Sequence, residues 1–299
     1  MISVGIVGYG NLGKAVEDRL KESNIFDLRA IFSKRNLPNC ENFENLHNYK
    51  GQIDLLFLCG GSQNELEQQA FSLIKDFSIA DSYDNHSRLK DYVMKLDSMA
   101  KESQKIALCS LGWDPGLFSY MRGLFEGLGY SAHTFWGKGL SQGHTQAIKG
   151  INNVVDAIQF TLPNEKIIKE IETGKIIPQA KSFHKRQCFV VADKKHQKEI
   201  KRQIIEMKDY FDGYETSVQF VSQEKLNQLK NFSHKGKVLT QNKELEFSIK
   251  TQSNPEFTAN IPTSFAKAYT KLITGKEFGA YTIFDLPISY LMEDKFKYL

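Results

Sequence analysis

Short runs of consecutive apolar residues alternate with polar, amphipathic stretches along the first hundred positions. The runs 2–7, 28–32, 53–59 and 79–83 have strand length, and the stretches 12–20 and 65–75 between them carry helical periodicity. Strands that are apolar at every position are buried on both faces, which predicts a parallel sheet covered by helices and joined by right-handed crossovers. A helix over 89–103 and a buried strand over 106–111 continue the pattern. The predicted fold is α/β, a doubly wound parallel-sheet domain of the dinucleotide-binding kind.

After Pro115 the pattern changes. One helical stretch, 118–128, precedes strands of alternating character at 133–136, 156–162, 187–192 and 215–221, with charged helices at 165–172 and 195–210. Two more strands, 237–241 and 245–251, read as a hairpin around Asn242-Lys243. These elements predict a second α+β domain with an open mixed sheet. A long helix over 257–274, ended by Gly275, and a last strand over 280–284 would return to the first domain. The expected division is therefore 1–114 completed by 255–299, with 115–254 as the second domain.

The size of the chain, 299 residues with 41% hydrophobic positions, agrees with two cores. Lys and Arg number 39 against 35 Asp and Glu, and the net charge of +4 is not concentrated in any tail, so no nucleic-acid partner is expected. The longest apolar runs, such as 55–59, fall far short of the roughly 20 residues that a membrane helix needs. Met1-Ile2-Ser3-Val4 leads straight into a glycine turn without the basic and apolar regions of a secretory leader, which predicts a cytoplasmic protein. Four scattered cysteines, Cys40, Cys59, Cys109 and Cys188, agree with a reducing compartment and offer no zinc framework.

Gly8-Tyr9-Gly10-Asn11-Leu12-Gly13 has Gly-x-Gly-x-x-Gly spacing directly after the first strand and at the opening of the first helix. In that context Gly8 permits the tight turn, Gly10 lets the backbone approach a pyrophosphate, and Gly13 lets helix and strand pack closely. The second strand ends in Ser33-Lys34-Arg35, with no acidic residue to accept from free ribose hydroxyls. A hydroxyl and two cations at that position favour a 2′-phosphate, hence NADP.

Three further segments fall at predicted strand ends: Cys59-Gly60-Gly61-Ser62, the run from Asp81 through Ser82, Tyr83 and Asp84 to His86, and Gly112-Trp113-Asp114-Pro115-Gly116. Ligands of open parallel sheets bind at such ends, so the three are expected to line one crevice. Asp84 and Asp114 are placed where negative charge is costly unless a cation, such as a ligand ammonium, meets it. Asp81 reads as structural. In the second half, Arg186 precedes an apolar strand and has the planar fork that suits a carboxylate. Neither a metal-binding histidine pair nor a Gly-x-Ser-x-Gly elbow is present in the sequence, so no metal and no covalent nucleophile are expected.

The glycine turn, Ser33-Lys34-Arg35, Tyr83-Asp84-Asn85-His86, Gly112-Trp113-Asp114-Pro115-Gly116, Phe135-Trp136-Gly137, Gly139-Leu140-Ser141-Gln142-Gly143-His144, His184-Lys185-Arg186-Gln187-Cys188-Phe189-Val190-Val191 and Asn254-Pro255-Glu256-Phe257 together resemble the meso-diaminopimelate dehydrogenase family over nearly the whole chain. The resemblance implies NADP-dependent, reversible oxidative deamination of the D-centre of meso-2,6-diaminopimelate, giving L-2-amino-6-oxopimelate, ammonia and NADPH, in a homodimer whose second domain binds substrate. It implies substrate contacts by Asp84, Trp113, Asp114, Trp136, Gln142, Gly143, Thr161, Arg186, His234 and Asn254. Two departures stand out. Lys34 occupies a position where the family pattern has arginine, and His234-Lys235-Gly236-Lys237 lacks that pattern's second glycine and second histidine. Another two-domain NADP oxidoreductase of amino-acid metabolism and a non-catalytic NADP-binding sensor are the alternative readings.

Overall fold

In a computed structural model, which describes residues 1–61, 65–175, 180–208, 210–229 and 234–299, the chain divides into two units. The first comprises Met1–Tyr120 and Pro255–Leu299, the second Met121–Asn254. The first boundary thus falls within the helix Leu117–Gly127, just past the Asp114–Pro115 turn. No helix among the described residues is long and apolar enough to cross a membrane.

The first unit is built on strands β1 (Ile2–Val7), β2 (Phe26–Ser33), β3 (Glu41–Asn42), β4 (Leu55–Leu58), β5 (Ser78–Asp81) and β6 (Ile106–Leu108). They pair in the order β6-β5-β4-β1-β2-β3, all parallel. The C-terminal strand Gly279–Tyr281 adds in parallel beside β6. Every residue of β4 and β5 is buried, which is why β4, Leu55-Leu56-Phe57-Leu58, is an unbroken apolar run rather than an alternating one. One face carries Ile2, Val4 and Ile6 against Val16 and Leu20 of the helix Asn11–Lys21 and against Ile261, Phe265 and Leu272 of the C-terminal helices. The other carries Val7, Leu56 and Leu58 against helices Leu66–Leu73 and Leu89–Glu102. The strand order reverses between β1 and β4, so the loops after these two strands mark the place where a doubly wound sheet binds its ligand.

The second unit contains β7 (Ala132–Gly137), β8 (Gly139–Leu140), β9 (Asp156–Pro163), β10 (His184–Val191), β11 (Glu215–Phe220), β12 (His234–Thr240) and β13 (Glu246–Thr251). The mixed sheet has the order β11-β10-β9-β8, and a separate antiparallel sheet has the order β13-β12-β7. The hairpin turn lies where the sequence places it. Asn242 and Lys243 both adopt positive φ, 65° and 56°, a conformation that Asn tolerates well.

Three expectations change. The helix expected over 257–274 is two α-helices, Asn254–Phe265 and Tyr269–Gly275, joined by a tighter 3-10 turn at Ala266–Ala268. Pro262, which has no N–H to donate, lies inside the first of them. The left-handed cap falls on Lys276, one residue beyond Gly275. The N–H groups of Lys276 and Glu277 donate to the carbonyls of Ile273 and Leu272, closing a Schellman motif. The helix expected over 195–210 is a 3-10 turn, Lys194–His196, followed by Gln197–Ile205. Finally, the glycine-rich stretch after Trp136 contains the short strand β8 and a helix, Gln142–Lys149, whose few turns carry too little apolar periodicity to show in the sequence.

Candidate active site

The glycine turn is held by main-chain geometry. Gly8 adopts φ +95° and its N–H donates to the Phe32 carbonyl at 2.9 Å, tying the end of β1 to the end of β2. A Cβ on Gly13 would stand 2.1 Å from the Gly8 carbonyl oxygen, so only glycine lets the helix start this close to the strand. Gly10 caps the helix with no side chain over its N-terminus, a Cβ placed there would meet nothing within 4 Å, and the first turn holds no acidic residue. The helix N–H groups therefore face open space without a built-in anion, which fits a pyrophosphate. Asn11 and Leu12 form the first turn of that helix. The backbone of Gly8 also abuts that of Cys59 and Gly60 at the end of β4. Ser62 lies outside the described residues.

The end of β2 bends back onto this turn. Ser33 is buried and its hydroxyl accepts the Arg35 N–H at 3.0 Å, while the Arg35 guanidinium donates to the Tyr9 carbonyl at 3.0 Å. Lys34 pairs with Glu65 at 3.2 Å, both side chains more than half exposed, a pair worth well under about 1 kcal/mol. Two cations thus sit beside the glycine turn without strong partners, and the residues present fit a phosphorylated ribose.

Asp81 braces the two loops that carry the candidate carboxylates. It is buried at the end of β5 and accepts from the Tyr83 N–H at 2.9 Å, the Ser110 N–H at 2.8 Å and the Tyr92 hydroxyl at 2.6 Å. Burial pushes its carboxyl upward against the pull of these three donors. Its bonds hold Ser110 at a positive φ of 57° at the start of the next loop. A second brace is His86, whose Nε2 lies 3.0 Å from the Asp114 carbonyl and, since a carbonyl only accepts, carries the proton. Tyr83, buried, stacks on Tyr92 and donates to Glu67 at 3.1 Å, and the next side chain, Asp84, is exposed. Ser82 and Cys59 line a small cleft together with Leu12 and Pro262.

The turn from Gly112 to Gly116 closes on itself, because a Cβ on Gly116 would overlap the Gly112 carbonyl at 1.8 Å and its φ is +135°. Trp113 is packed between Phe118 and Phe257, and its indole N–H donates to Thr258 at 2.8 Å. Asp114, half-buried, accepts from Ser119 at 2.7 Å.

In the second unit, strand register makes a row. Gly139 of β8 faces Thr161 of β9, which faces Arg186 of β10. Arg186 Nη1 donates to Thr161 Oγ1 at 2.6 Å, and the guanidinium lies 4.3 Å over the Tyr214 ring. The Cβ position of Gly139 is 3.2 Å from His234 Nδ1, so the missing side chain makes room for that imidazole. Burial lowers the pKa of His234, and burial with the Arg186 charge pushes His144 down to about 3, leaving Arg186 the cation of this group. Trp136 lies on β7, its N–H donating to His184 Nε2 at 2.8 Å. Gln142 and Gly143 open the helix Gln142–Lys149, with the Gln142 side chain outside the described part, and Asn254 opens Asn254–Phe265. The structure thus groups Thr161, Arg186 and His234, and separately ties the loop of Asp84 to that of Trp113 and Asp114 through Asp81 and His86. Sequence reasoning missed Tyr214, Gln159, Ser119 and Thr258. Ser119 alone had a local signal, a hydroxyl one helical turn past Asp114.

A profile of the diaminopimelic acid dehydrogenase C-terminal domain matches residues 112–259. Meso-diaminopimelate D-dehydrogenase of Acetivibrio thermocellus is 39% identical, over 97% of this chain and 94% of its own. The chain belongs to the meso-diaminopimelate D-dehydrogenase family. Among solved structures, Corynebacterium glutamicum DAP dehydrogenase in complex with DAP superposes with a TM-score of 0.93 at 34% identity, covering 100% of this chain and 98% of that one. An engineered D-amino acid dehydrogenase bound to NADP+ superposes with a TM-score of 0.89 at 32% identity, with the same coverage.

Proposed function

We propose that this chain catalyses the reversible, NADP-dependent oxidative deamination of the D-configured centre of meso-2,6-diaminopimelate, yielding L-2-amino-6-oxopimelate, ammonia and NADPH. The observation that carries this reading is the whole-chain match to the Corynebacterium glutamicum enzyme complexed with that substrate. The local chemistry supports it. The substrate has an ammonium and a carboxylate at each end of a short aliphatic spacer, and the chain has carboxylates in one cluster and a cation with hydroxyl and imidazole in another.

Gly8, Tyr9, Gly10, Asn11, Leu12 and Gly13 hold the pyrophosphate, and Ser33, Lys34 and Arg35 hold the 2′-phosphate, with the loops of Cys59, Gly60, Gly61 and Ser62 and of Ser82, Tyr83 and Asp84 completing the contacts. When bound, NADP supplies the hydride acceptor. Asp84 and Asp114 orient the reacting amino group. An ammonium nitrogen has no lone pair to help expel hydride, so a proton leaves first, to Asp114 or to water. Ser119, donating to Asp114 Oδ1, fixes the carboxylate for that step. Arg186, Thr161, His234 and Asn254 hold the distal L-centre, and Gln142 and Gly143 add polar contacts. Trp113 and Trp136 shield the spacer from water. Binding the remote end in this way positions the reacting carbon. Hydrolysis of the resulting imine releases ammonia.

The assembly is a homodimer formed through the second unit, whose strand β13 ends its sheet with one side unpaired among the described residues. A cytoplasmic location agrees with four cysteines that are all free thiols.

The cofactor assignment is tested by Arg35→Asp. Losing charge-assisted bonds and adding repulsion raises KM for NADP by about tenfold or more and leaves KM for NAD little changed. Steady-state kinetics with both cofactors read this directly, and equal effects on the two would remove Arg35 from the phosphate site.

A further inference from the structure

Gln159 sits two residues before Thr161 on the same face of β9, fully buried. Its Nε2 donates to Thr161 Oγ1 at 3.4 Å, and the same oxygen accepts from Arg186 Nη1 at 2.6 Å. A hydroxyl has two acceptor positions and one hydrogen. With both acceptor positions taken by donors, the Thr161 hydrogen can only be given away, to an acceptor that is neither of these groups.

The orientation of the Gln159 amide follows from satisfaction. Its backbone N–H donates to Thr145 Oγ1 at 3.0 Å, and Oε1 has no partner among the described residues. The reversed amide would let Oε1 accept from Thr161 but would bury an NH2 group with no acceptor, and an orphaned donor is rarer and costlier than an under-satisfied carbonyl oxygen. Arg186 Nε is likewise buried without a partner among the described residues. Arg186 and the Thr161 hydroxyl therefore both present donors to a ligand.

We propose that Gln159 is a specificity-determining positioning residue, which commits the Thr161 hydroxyl to donation so that Thr161 and Arg186 together select a carboxylate over a carboxamide or hydroxymethyl group at the distal end of the substrate. A carboxylate accepts at both oxygens, whereas an amide nitrogen or an alcohol hydrogen would meet a donor. The inference rests on the substrate reading given above, and it adds a residue that touches no substrate atom and acts through Thr161.

The test is a double-mutant cycle of Gln159→Leu and Thr161→Val in the full-length protein, read by steady-state kinetics with meso-diaminopimelate and NADP. Loss of one oriented hydrogen bond raises KM for meso-diaminopimelate about tenfold in Gln159→Leu, with kcat changed less than threefold and NADPH affinity unchanged. In the Thr161→Val background the same replacement adds less than about twofold, since the hydroxyl it orients is gone. If Gln159→Leu does not fold, Gln159→Met, unbranched and of similar length, is judged by the same criteria. An unchanged KM in the Gln159 variant, or an effect that adds in full to Thr161→Val, overturns the inference while leaving the substrate reading intact. An unchanged KM in Thr161→Val alone overturns the distal-end reading and the inference with it.

Discussion

Arg186→Ala lowers kcat/KM for meso-diaminopimelate by about a hundredfold or more, and NADPH binds the variant as tightly as the parent. The guanidinium is part-buried, stacked on Tyr214 and bonded to Thr161, so its orientation is fixed before substrate arrives. Truncating one partner of a buried, hydrogen-bonded charge pair costs about 2–5 kcal/mol, and each 1.4 kcal/mol is a factor of ten. Much of that loss belongs to the substrate carboxylate, left without its cation. His144 cannot substitute, because burial, the larger cause of its lowered pKa, still disfavours its charged form when the guanidinium is gone. Initial-rate kinetics over a range of substrate, with NADPH titrated separately by fluorescence, check the prediction. A kcat/KM within threefold of the parent would take Arg186 out of the substrate site.

Gly13→Ala has the second large effect, and it is confined to the cofactor. The new methyl group would stand 2.1 Å from the Gly8 carbonyl oxygen, a main-chain atom that cannot rotate away, so the helix Asn11–Lys21 must move off the strand. Overpacking of this kind costs about 1–3 kcal/mol, and here the displaced element is the one proposed to receive the pyrophosphate on its N–H groups. NADPH affinity accordingly falls about tenfold or more, while KM for meso-diaminopimelate, measured at saturating NADP, stays near that of the parent. Fluorescence titration giving a dissociation constant within twofold of the parent would contradict the role assigned to the turn.

How much of this was legible in the sequence depends on the range of the interactions concerned. The buried parallel strands were readable because burial on both faces forces an unbroken apolar run, as in Leu55-Leu56-Phe57-Leu58. The glycine turn was readable because Gly8 and Gly13 answer local steric demands at a junction of strand and helix. The cation pair Lys34-Arg35 could be placed from its position after β2, although the bond from Arg35 back to Tyr9 could not.

What escaped the sequence is set by register and by distance along the chain. Tyr214 meets Arg186 because β10 and β11 pair in parallel, with Lys185 opposite Glu215, and no local pattern announces which residue will precede that pairing. Thr258 reaches the Trp113 indole across 145 positions. Gln159 looks from sequence like one more strand residue, and only its full burial beside Thr161 distinguishes it. The separate three-stranded sheet escaped for the same reason, since the choice of β12 by β7 is made by long-range pairing rather than by composition.

NADPH formation from purified stereoisomers of 2,6-diaminopimelate tests the account at its centre. Absorbance at saturating NADP should rise with the meso isomer and stay flat with the LL isomer, which offers no D-configured carbon. A rate with the LL isomer comparable to that with meso, or none with meso, would contradict it.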